Sequence, residues 1–425
     1  MSAHSPSNLE GTLRERCLAV RRASRTLATA SREAKDALLQ RIAAGLRQWT
    51  CEIASANEAD VDDLRSKGGT KAFEDRLRLD AGRIEAVARS VEEVMALADP
   101  VGEVVSTTTR PNGLRVSRVR VPLGVVAMIY EARPNVTIDA SVLCLKTGNG
   151  VVLRGGSEAF RTNQALGDVV RGALDASGLP EDLVYVVPFT DREAVLHLVR
   201  QVESVDLAIP RGGESLIRFV TENARVPVVQ HFKGVCHMFV DVSADLAMAE
   251  ALVVDAKLSR PGVCNALECL LVDAKVAPSF VPKVVGRMVA AGGKVLGCPR
   301  TRALDSRVDP ASPQDFGREF LDVVLAVRVV DGLDDALDHV RTYGSGHTEA
   351  IVTADGAHAD RFRREVDAAC VVVNASTRFH DGGELGLGAE IGIATSRLHW
   401  RGPMGLESLT TMKWVVDGSG QTRHG

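Results

Sequence analysis

Apolar side chains in the first hundred residues recur at the spacing of an amphipathic helix. Between Leu38 and Leu46 they return every three to four positions, with polar residues between them. The pattern breaks at residues 67–70, around a glycine pair, and resumes over residues 81–97. This stretch predicts a layer of packed helices. It contains no residue pattern typical of a catalytic or ligand-binding site.

A different pattern, typical of β-strands, follows over residues 101–121. Two β-prone runs rich in Thr, Val and Arg flank Pro111-Asn112-Gly113, a combination that predicts a hairpin. The runs are too polar to form a core, and a two-stranded ribbon is marginal alone. We therefore expect the ribbon, and a strand predicted at 409–416, to pack against other elements or against a second subunit.

Buried strands alternate with helical segments from Gly124 onward. The predicted strands are 125–129, 150–154, 183–187 and 205–209, and the predicted helices are 138–146, 157–176, 191–200 and 216–222. Such alternation is typical of a parallel sheet with helices on both faces. Ligands of such sheets bind beyond the carboxyl ends of the strands. Those ends are residues 130–135, 154–158, 188–190 and 210–215.

A second α/β segment begins near Val235. Its predicted strands are 238–240, 266–272, 323–330, 350–353 and 370–374, and its predicted helices are 244–257 and 280–291. Residues 298–320 are polar and rich in proline, which predicts a loop. We predict domains at 1–234 and 235–377, with residues 378–425 returning to the first domain.

Composition narrows the classes of function. The chain has 425 residues, 45% hydrophobic and 25% charged, which predicts two or three ordinary globular domains. A formal net charge of −4 gives no global attraction to nucleic acid or to a membrane surface. No apolar run approaches the roughly 20 residues of a membrane span, and the N-terminal residues lack the apolar core of a signal peptide. We therefore expect a cytoplasmic location.

The eight cysteines are scattered, without the paired spacing of a zinc site or of a disulfide framework. Cys264 stands out because it follows the break at Pro261-Gly262 and precedes an apolar run. A loop thiol held between regular elements can be a nucleophile, although a lone cysteine is more often part of a core. His231 and His237 do not have the spacing of a metal-binding pair.

Two glycine loops at predicted strand ends have the chemistry of an anion site. Arg154-Gly-Gly-Ser-Glu158 joins a strand to a helix, and Arg211-Gly-Gly213 repeats the arrangement. Glycine permits close backbone approach, a helix N-terminus supplies N–H donors, and arginine supplies charge. Each loop alone could be a tight turn with a surface arginine. Together they favour a cofactor that carries phosphate.

Two further features are ambiguous. Asn135, at the first strand end, could donate to an oxyanion or could simply be a turn asparagine. The glycines at 386, 388 and 392 resemble a dinucleotide motif, but no strand precedes them and no helix follows. We interpret residues 386–392 as a ligand-lining loop.

Several long segments, which together extend over most of the chain, resemble the aldehyde dehydrogenase superfamily. They are residues 121–137, 145–158, 209–213, 231–237, 259–265 and 401–410. The nearest resemblance is to the branch that reduces L-glutamyl 5-phosphate to L-glutamate 5-semialdehyde and phosphate with NADPH, the second step of proline biosynthesis. It implies an α/β fold with a Rossmann-like NADP-binding domain, an α/β catalytic domain and a β-ribbon oligomerisation element at 101–121.

The resemblance also implies roles for individual residues. Cys264 matches the thiol nucleophile, and Asn135 matches the amide that stabilises the oxyanion. The positions that match cofactor-binding residues are Arg154, Gly155, Ser157, Glu158, Pro210, Arg211, Gly212, Gly213, Ser215 and Glu319. The residues expected to bind the substrate are Arg133, His231, Lys233, Arg260 and Arg378, with Asp381 or Glu384 for its ammonium group. Arg154 would pair the 2′-phosphate of NADP.

One departure from the wider superfamily is informative. Hydrolytic members carry a Glu-Leu-Gly-Gly segment whose glutamate activates water, whereas residues 231–234 here read His-Phe-Lys-Gly. Without that carboxylate, phosphate is the expected partner of the acyl group, and Lys233 or His231 suits an anion. The alternatives are a hydrolytic or CoA-acylating aldehyde dehydrogenase and a non-catalytic protein on the same scaffold. We expect a homo-oligomer, functional coupling to the glutamate 5-kinase that makes the acyl phosphate, and no metal.

Overall fold

The structure, a computed structural model, describes residues 6–230 and 232–423. The α-helices are α1 (Pro6–Leu27), α2 (Arg32–Gln48), α3 (Thr50–Ser66), α4 (Lys71–Leu77), α5 (Ala81–Ala96), α6 (Val136–Lys146), α7 (Phe160–Asp175), α8 (Arg192–Leu198), α9 (Glu214–Asn223), α10 (Leu246–Leu258), α11 (Ala277–Ala290), α12 (Pro299–Arg302), α13 (Gly332–Tyr343) and α14 (Gly356–Glu365). Short 3₁₀ turns are Ser157–Ala159, Glu181–Leu183, Pro313–Gly317, Thr377–Phe379 and Glu407–Leu409. Among the described residues, no helix has the length and apolar character that crossing a membrane requires.

The strands, in chain order, are β1 (Val104–Thr109), β2 (Arg115–Pro122), β3 (Val125–Tyr130), β4 (Gly150–Gly155), β5 (Val184–Val186), β6 (Leu207–Arg211), β7 (Cys236–Val240), β8 (Leu267–Asp273), β9 (Lys294–Gly297), β10 (Asp309–Pro310), β11 (Val324–Val330), β12 (Thr348–Val352), β13 (Cys370–Val373), β14 (Ile393–Ala394), β15 (Gly402–Pro403) and β16 (Thr410–Asp417). The described chain forms two compact units. The first unit contains residues up to 230, 387–392 and from 404 onward. The second contains the intervening residues up to 386, and 393–403.

These unit boundaries differ from the predicted domain boundaries at 234 and 377. Residues 232–234 belong to the second unit, in which the backbone N–H of Gly234 donates to the Glu319 carboxylate. The second boundary shifts because the Asn265 side chain donates to the carbonyl oxygen of His380, which keeps the turn after β13 in the second unit. Hydrogen bonds between residues far apart in the chain cannot be predicted from sequence composition.

A four-stranded parallel sheet, ordered β5-β4-β3-β6, forms the centre of the first unit. Every residue of β3 is buried, which agrees with the apolar run that predicted it. The predicted parallel sheet is therefore confirmed. The predicted helix start at Ser157 is wrong, because that residue lies in a 3₁₀ turn and the α-helix begins at Phe160.

An antiparallel sheet of three strands, ordered β1-β2-β16, is the other sheet of this unit. The predicted hairpin is present, and the predicted last strand pairs with β2 along its whole length. All six residues of β1 are exposed. The indole of Trp414 is also largely exposed and lies 5.2 Å from the Arg118 guanidinium. Apolar groups on this sheet therefore remain uncovered within one chain.

The second unit is built on a seven-stranded parallel sheet ordered β10-β9-β11-β8-β7-β12-β13. One core cluster includes residues of α10 and α11, and another includes residues of α13 and α14. The prediction of a loop over 298–320 is partly wrong, because α12, β10 and a 3₁₀ turn lie there. Prediction also missed β9, α13 and α14. Helix α14 is mostly polar and buries only Ala359 and Phe362, so few apolar positions mark it in the sequence.

A buried ion pair joins α10 to β8 just outside the Cys264 loop. Nζ of Lys257 lies 2.6 Å from Oε2 of Glu268, and both side chains are fully buried. The other oxygen of Glu268 accepts the N–H of Leu321 at 3.2 Å. Burial raises the pKa of Glu268 to about 7, although the charge of Lys257 opposes this shift. Removing one partner would leave an uncompensated polar group in the interior.

We predict that Lys257→Met destabilises the protein by about 3 kcal/mol, because Glu268 then loses its buried partner. The double variant Lys257→Met, Glu268→Leu should recover most of this loss. Urea unfolding followed by circular dichroism measures both. Equal destabilisation of the single and double variants would contradict the pairing argument.

Candidate active site

Cys264 lies in a short loop between the end of α10 at Leu258 and the start of β8 at Leu267. It is partly exposed, whereas every residue of β8 is buried. Its carbonyl oxygen accepts a hydrogen bond from the thiol of Cys236 at 3.2 Å. A Cβ added to Gly234 would overlap that carbonyl oxygen and lie 2.9 Å from the Cα of Cys264. The loop backbone is therefore fixed while the thiol stays accessible.

The residue after the cysteine is anchored as well. Nδ2 of Asn265 donates to the carbonyl oxygens of Arg378 and His380 at 3.2 and 3.1 Å. The hydroxyl of Thr377 donates to the Asn265 carbonyl oxygen at 2.7 Å. These bonds bring the backbone of Arg378, a predicted substrate-binding residue, to the Cys264 loop. Its pairing with a substrate carboxylate remains a prediction.

Two more predicted residues lie beside this loop. Oε1 of Glu319 accepts the N–H of Gly234 at 2.9 Å, and Nζ of Lys233 donates to the carbonyl oxygen of Gly317 at 2.7 Å. The segment at 317–319 is thereby tied to the one that packs on Cys264. His231 lies outside the described residues.

The remaining predicted polar residues of this unit lie on its surface or in turns. Arg260 and Glu384 are exposed. Asp381 accepts the N–H of Gly383 at 3.0 Å, so its carboxylate caps a local turn. Their roles in substrate binding remain predictions.

Cys236 is a functional candidate that sequence analysis missed. Burial raises the pKa of its thiol well above the ordinary value, so it stays protonated and donates to Cys264. Its sulfur lies 3.7 Å from Nδ1 of His347, and the hydroxyl of Thr348 lies 2.7 Å from both His347 and His380. No local sequence signal exists for this role, because the two cysteines are 28 positions apart.

A second buried cluster brings together His237, Cys269 and His339, whose potential ligand atoms lie within 4.8 Å of one another. Arg328 lies 2.9 Å from Nδ1 of His339 and can only donate, so the neutral ring carries its hydrogen on Nε2. That nitrogen faces the sulfur of Cys269 at 3.5 Å. A protonated nitrogen cannot bind a metal, so we interpret the cluster as a buried polar network in which Cys269 contacts His339 and His237 forms an ion pair with Glu349.

The ionisation of this network follows from its surroundings. Burial opposes a charge on His237, but the Glu349 carboxylate at 3.0 Å outweighs it and raises the pKa to about 10. Burial lowers the pKa of His339 to about 2. One imidazole is therefore charged and paired while its neighbour is neutral.

In the first unit, Asn135 immediately precedes α6 at the carboxyl edge of the parallel sheet. Its Nδ2 donates to Asp139 at 2.8 Å. Burial raises the pKa of Asp139 to about 6. The bond uses one of the two amide hydrogens and orients the group. Arg133, two residues earlier, is exposed.

Arg154, the residue expected to pair a 2′-phosphate, is not presented to solvent. Its guanidinium is buried and donates to the carbonyl oxygens of Thr190 and Asp191 at 2.5 and 3.2 Å. Burial lowers the pKa of this group. Oε1 of Glu158 accepts the N–H of Ala132 at 2.5 Å. Both side chains therefore hold neighbouring strand ends, and the pairing of Arg154 with a 2′-phosphate remains a prediction.

The second glycine loop contacts a carboxylate, that of Glu131, which the sequence analysis did not single out. Oε2 of Glu131 accepts the N–H of Gly213 at 3.0 Å, immediately before α9. A Cβ on Gly212 would overlap the same oxygen. Ser215 lies exposed in the first turn of α9, and Pro210 is buried in β6. The loop thus has the N–H donors of an anion site.

Comparison with known proteins places this geometry in a family. The model of the aldehyde dehydrogenase family matches residues 11–298. A γ-glutamyl phosphate reductase of Sorangium cellulosum is 55% identical over 98% of this chain and 99% of its own length. One from Xanthomonas campestris is 52% identical over 97% of this chain and all of its own length.

Solved structures agree. The crystal structure of γ-glutamyl phosphate reductase from Thermotoga maritima has a TM-score of 0.95 and 45% identity, covering 97% of this chain and 99% of that one. A probable aldehyde dehydrogenase from Listeria monocytogenes is 15% identical with a TM-score of 0.72, covering 99% of this chain and 100% of its own, and shares the fold. The predicted fold class is confirmed: this chain belongs to the aldehyde dehydrogenase family and, within it, to the γ-glutamyl phosphate reductases.

Proposed function

We propose that this protein reduces L-glutamyl 5-phosphate to L-glutamate 5-semialdehyde and phosphate with NADPH, through a thioester on Cys264. The near full-length similarity to γ-glutamyl phosphate reductases supports the reaction. The observation that carries the mechanism is the fixed backbone and partly exposed thiol of Cys264. The reaction is the second step of proline biosynthesis from glutamate.

In the first half-reaction the Cys264 thiolate attacks the acyl carbon of the substrate. The carbonyl oxygen becomes an oxyanion, which the backbone N–H of Cys264 and the amide of Asn135 stabilise. The C–O bond to phosphate then breaks, phosphate leaves, and the acyl group remains on sulfur. A covalent route divides one difficult step into two easier ones.

NADPH, when bound, supplies the hydride for the second half-reaction. The thioester carbon accepts it and becomes a thiohemiacetal oxyanion in the same oxyanion site. The C–S bond then breaks, which releases the aldehyde and regenerates the Cys264 thiolate. No net proton needs to be stored on the protein in this half-reaction.

The absence of a water-activating carboxylate at 231–234 supports phosphate as the acyl partner. Lys233 is exposed beside the Cys264 loop, and its ammonium can attract the phosphoryl group. Glu268 is not a substitute base, because it is fully buried and paired with Lys257. Arg133, His231, Arg260 and Arg378 are further candidates for the substrate anions. A hydrolytic or CoA-acylating enzyme is the alternative.

The glycine loops of the first unit suit a nicotinamide dinucleotide. Gly212 and Gly213 precede α9 and offer backbone N–H groups to the pyrophosphate, with Arg211 as a cation. The first loop, residues 154–158, would hold the adenosine ribose, and Glu319 would hold the nicotinamide ribose. The preference for NADP over NAD rests on the family resemblance.

Three wider proposals concern the assembly, the location and the partner of this protein. The exposed apolar residues of β1 and β16, among them Val104 and Trp414, favour a homo-oligomer that covers this sheet. A cytoplasmic location suits a biosynthetic enzyme. Coupling to the kinase that makes the acyl phosphate would shorten the lifetime of a labile intermediate.

Replacing Cys264 by Ala should lower the reduction rate more than about 1,000-fold, because no other group can form the thioester. Thermal stability should change little, since the thiol is partly exposed. Cys298→Ala, which removes another partly exposed thiol of the same unit, should keep normal activity. Normal turnover by Cys264→Ala would refute the covalent route.

Oxidation of L-glutamate 5-semialdehyde by NADP⁺ should require inorganic phosphate at every substrate concentration. An assay of NADPH absorbance with phosphate, with CoA, or with neither distinguishes the three candidate acyl acceptors. Steady turnover in buffer without phosphate would identify a hydrolytic enzyme, and turnover that depends on CoA would identify an acylating one.

Arg154→Met should lower stability by about 1–3 kcal/mol, because the carbonyl groups of Thr190 and Asp191 lose their buried donor. The affinities for NADPH and NADH should then fall by the same factor. Thermal unfolding and fluorescence titration measure these two effects. A loss confined to NADPH, with normal stability, would show instead that Arg154 reads the 2′-phosphate.

A further inference from the structure

The anion site before α9 is filled by the protein's own carboxylate. Oε2 of Glu131 accepts the single N–H of Gly213 at 3.0 Å. A Cβ added to Gly212 would overlap this same Oε2 atom. The backbone of Glu131 is itself held, because its N–H donates to the carbonyl oxygen of Arg211 at 3.0 Å. The carboxylate therefore sits against the loop from a strand end that is fixed to it.

A phosphate group cannot share this position with Glu131. The Gly213 nitrogen has one hydrogen, so it can donate a good hydrogen bond to one anion at a time. A phosphate placed there would lie within a few ångströms of the carboxylate, where two like charges repel strongly. Binding of a pyrophosphate at this loop therefore requires the Glu131 side chain to rotate away.

Nearby charges add to this competition. Glu158 lies in the neighbouring glycine loop and caps the N–H of Ala132. The guanidinium of Arg154 is buried in this region, and its Nη2 donates to two backbone carbonyl oxygens. It is electrostatically coupled to Glu131 and Glu158. The carboxylates of Glu131 and Glu158 therefore lie, together with Arg211, at the sheet edge where a dinucleotide would bring phosphates.

We propose that the Glu131 carboxylate occupies the phosphate position before α9 and must be displaced for NADPH to bind. This inference rests on the proposed use of NADPH by this loop. The carboxylate keeps the N–H of Gly213 paired without cofactor and weakens the binding of any phosphate-bearing ligand. Neutralising Glu131 removes the competing charge while an amide oxygen can still accept the N–H.

The test is Glu131→Gln in the full-length protein, titrated with NADPH by fluorescence and with inorganic pyrophosphate as a competitor. Both ligands should bind about tenfold more tightly than to the parent protein, since one repelling charge is removed. Adenosine, which has no phosphate, should bind equally to both proteins. An unchanged or weaker affinity of Glu131→Gln for NADPH overturns the proposal.

Two further variants test whether the effect on NADPH binding is specific to the carboxylate of Glu131. Glu214→Gln removes a carboxylate from the first turn of the same helix, where it pairs with Arg218, and should change the affinity for NADPH less than twofold. If Glu131→Gln does not fold, Glu131→Asp shortens the side chain, withdraws the carboxylate from Gly213 and should tighten binding in part. Weaker binding by Glu131→Asp overturns the proposal.

The outcome also separates this inference from the proposed function. If the parent protein and all variants fail to bind NADPH, the assignment of the cofactor is wrong. If the parent binds NADPH and Glu131→Gln binds it no better, the cofactor assignment stands and the role of Glu131 is refuted.

Discussion

The close approach of two backbone segments at Gly234 and Cys264 is the constraint on which the candidate site depends. There is no room for a side chain at residue 234, because a Cβ would overlap the carbonyl oxygen of Cys264. The same glycine donates its N–H to Glu319, so three segments of the second unit meet within a few bonds of the cysteine. Such a junction fixes the backbone position of the cysteine.

Two cysteines share this junction and have opposite roles. Cys236 is fully buried, and its raised pKa keeps it a hydrogen-bond donor to the Cys264 backbone. Cys264 is partly exposed and can reach a substrate. Burial therefore separates a positioning thiol from a reactive one, although the two belong to the same residue type. In the first unit a similar division exists between Arg154, which is used inside the fold, and Arg211, which belongs to the anion loop.

Much of the fold could be predicted because its local patterns agree with its tertiary environment. Buried strands such as β3 are continuous apolar runs, and the turn at residues 111–113 specifies its hairpin. The prediction for Cys264 came from a resemblance of whole segments, because its loop alone favoured a core cysteine.

The features that the sequence did not reveal share a physical cause. The partners of Arg154 and Glu131 are backbone groups of other loops, namely the carbonyl of Thr190 and the N–H of Gly213. Backbone partners leave no trace in residue identity. The network of His237, Cys269 and His339 joins two strands and a helix, so no spacing of residues along the chain could predict it. Helix α14 was missed because it is mostly polar and buries only two of its residues, Ala359 and Phe362.

A rapid-mixing experiment tests the thioester on Cys264 most directly. The protein is mixed with L-glutamate 5-semialdehyde and NADP⁺ in buffer without phosphate, and NADPH formation is followed in the first turnover. A burst of about one NADPH per active site, with an acyl group on the Cys264 peptide by mass spectrometry, is the predicted result. Absence of a burst, or an acyl group on another cysteine, would contradict the mechanism.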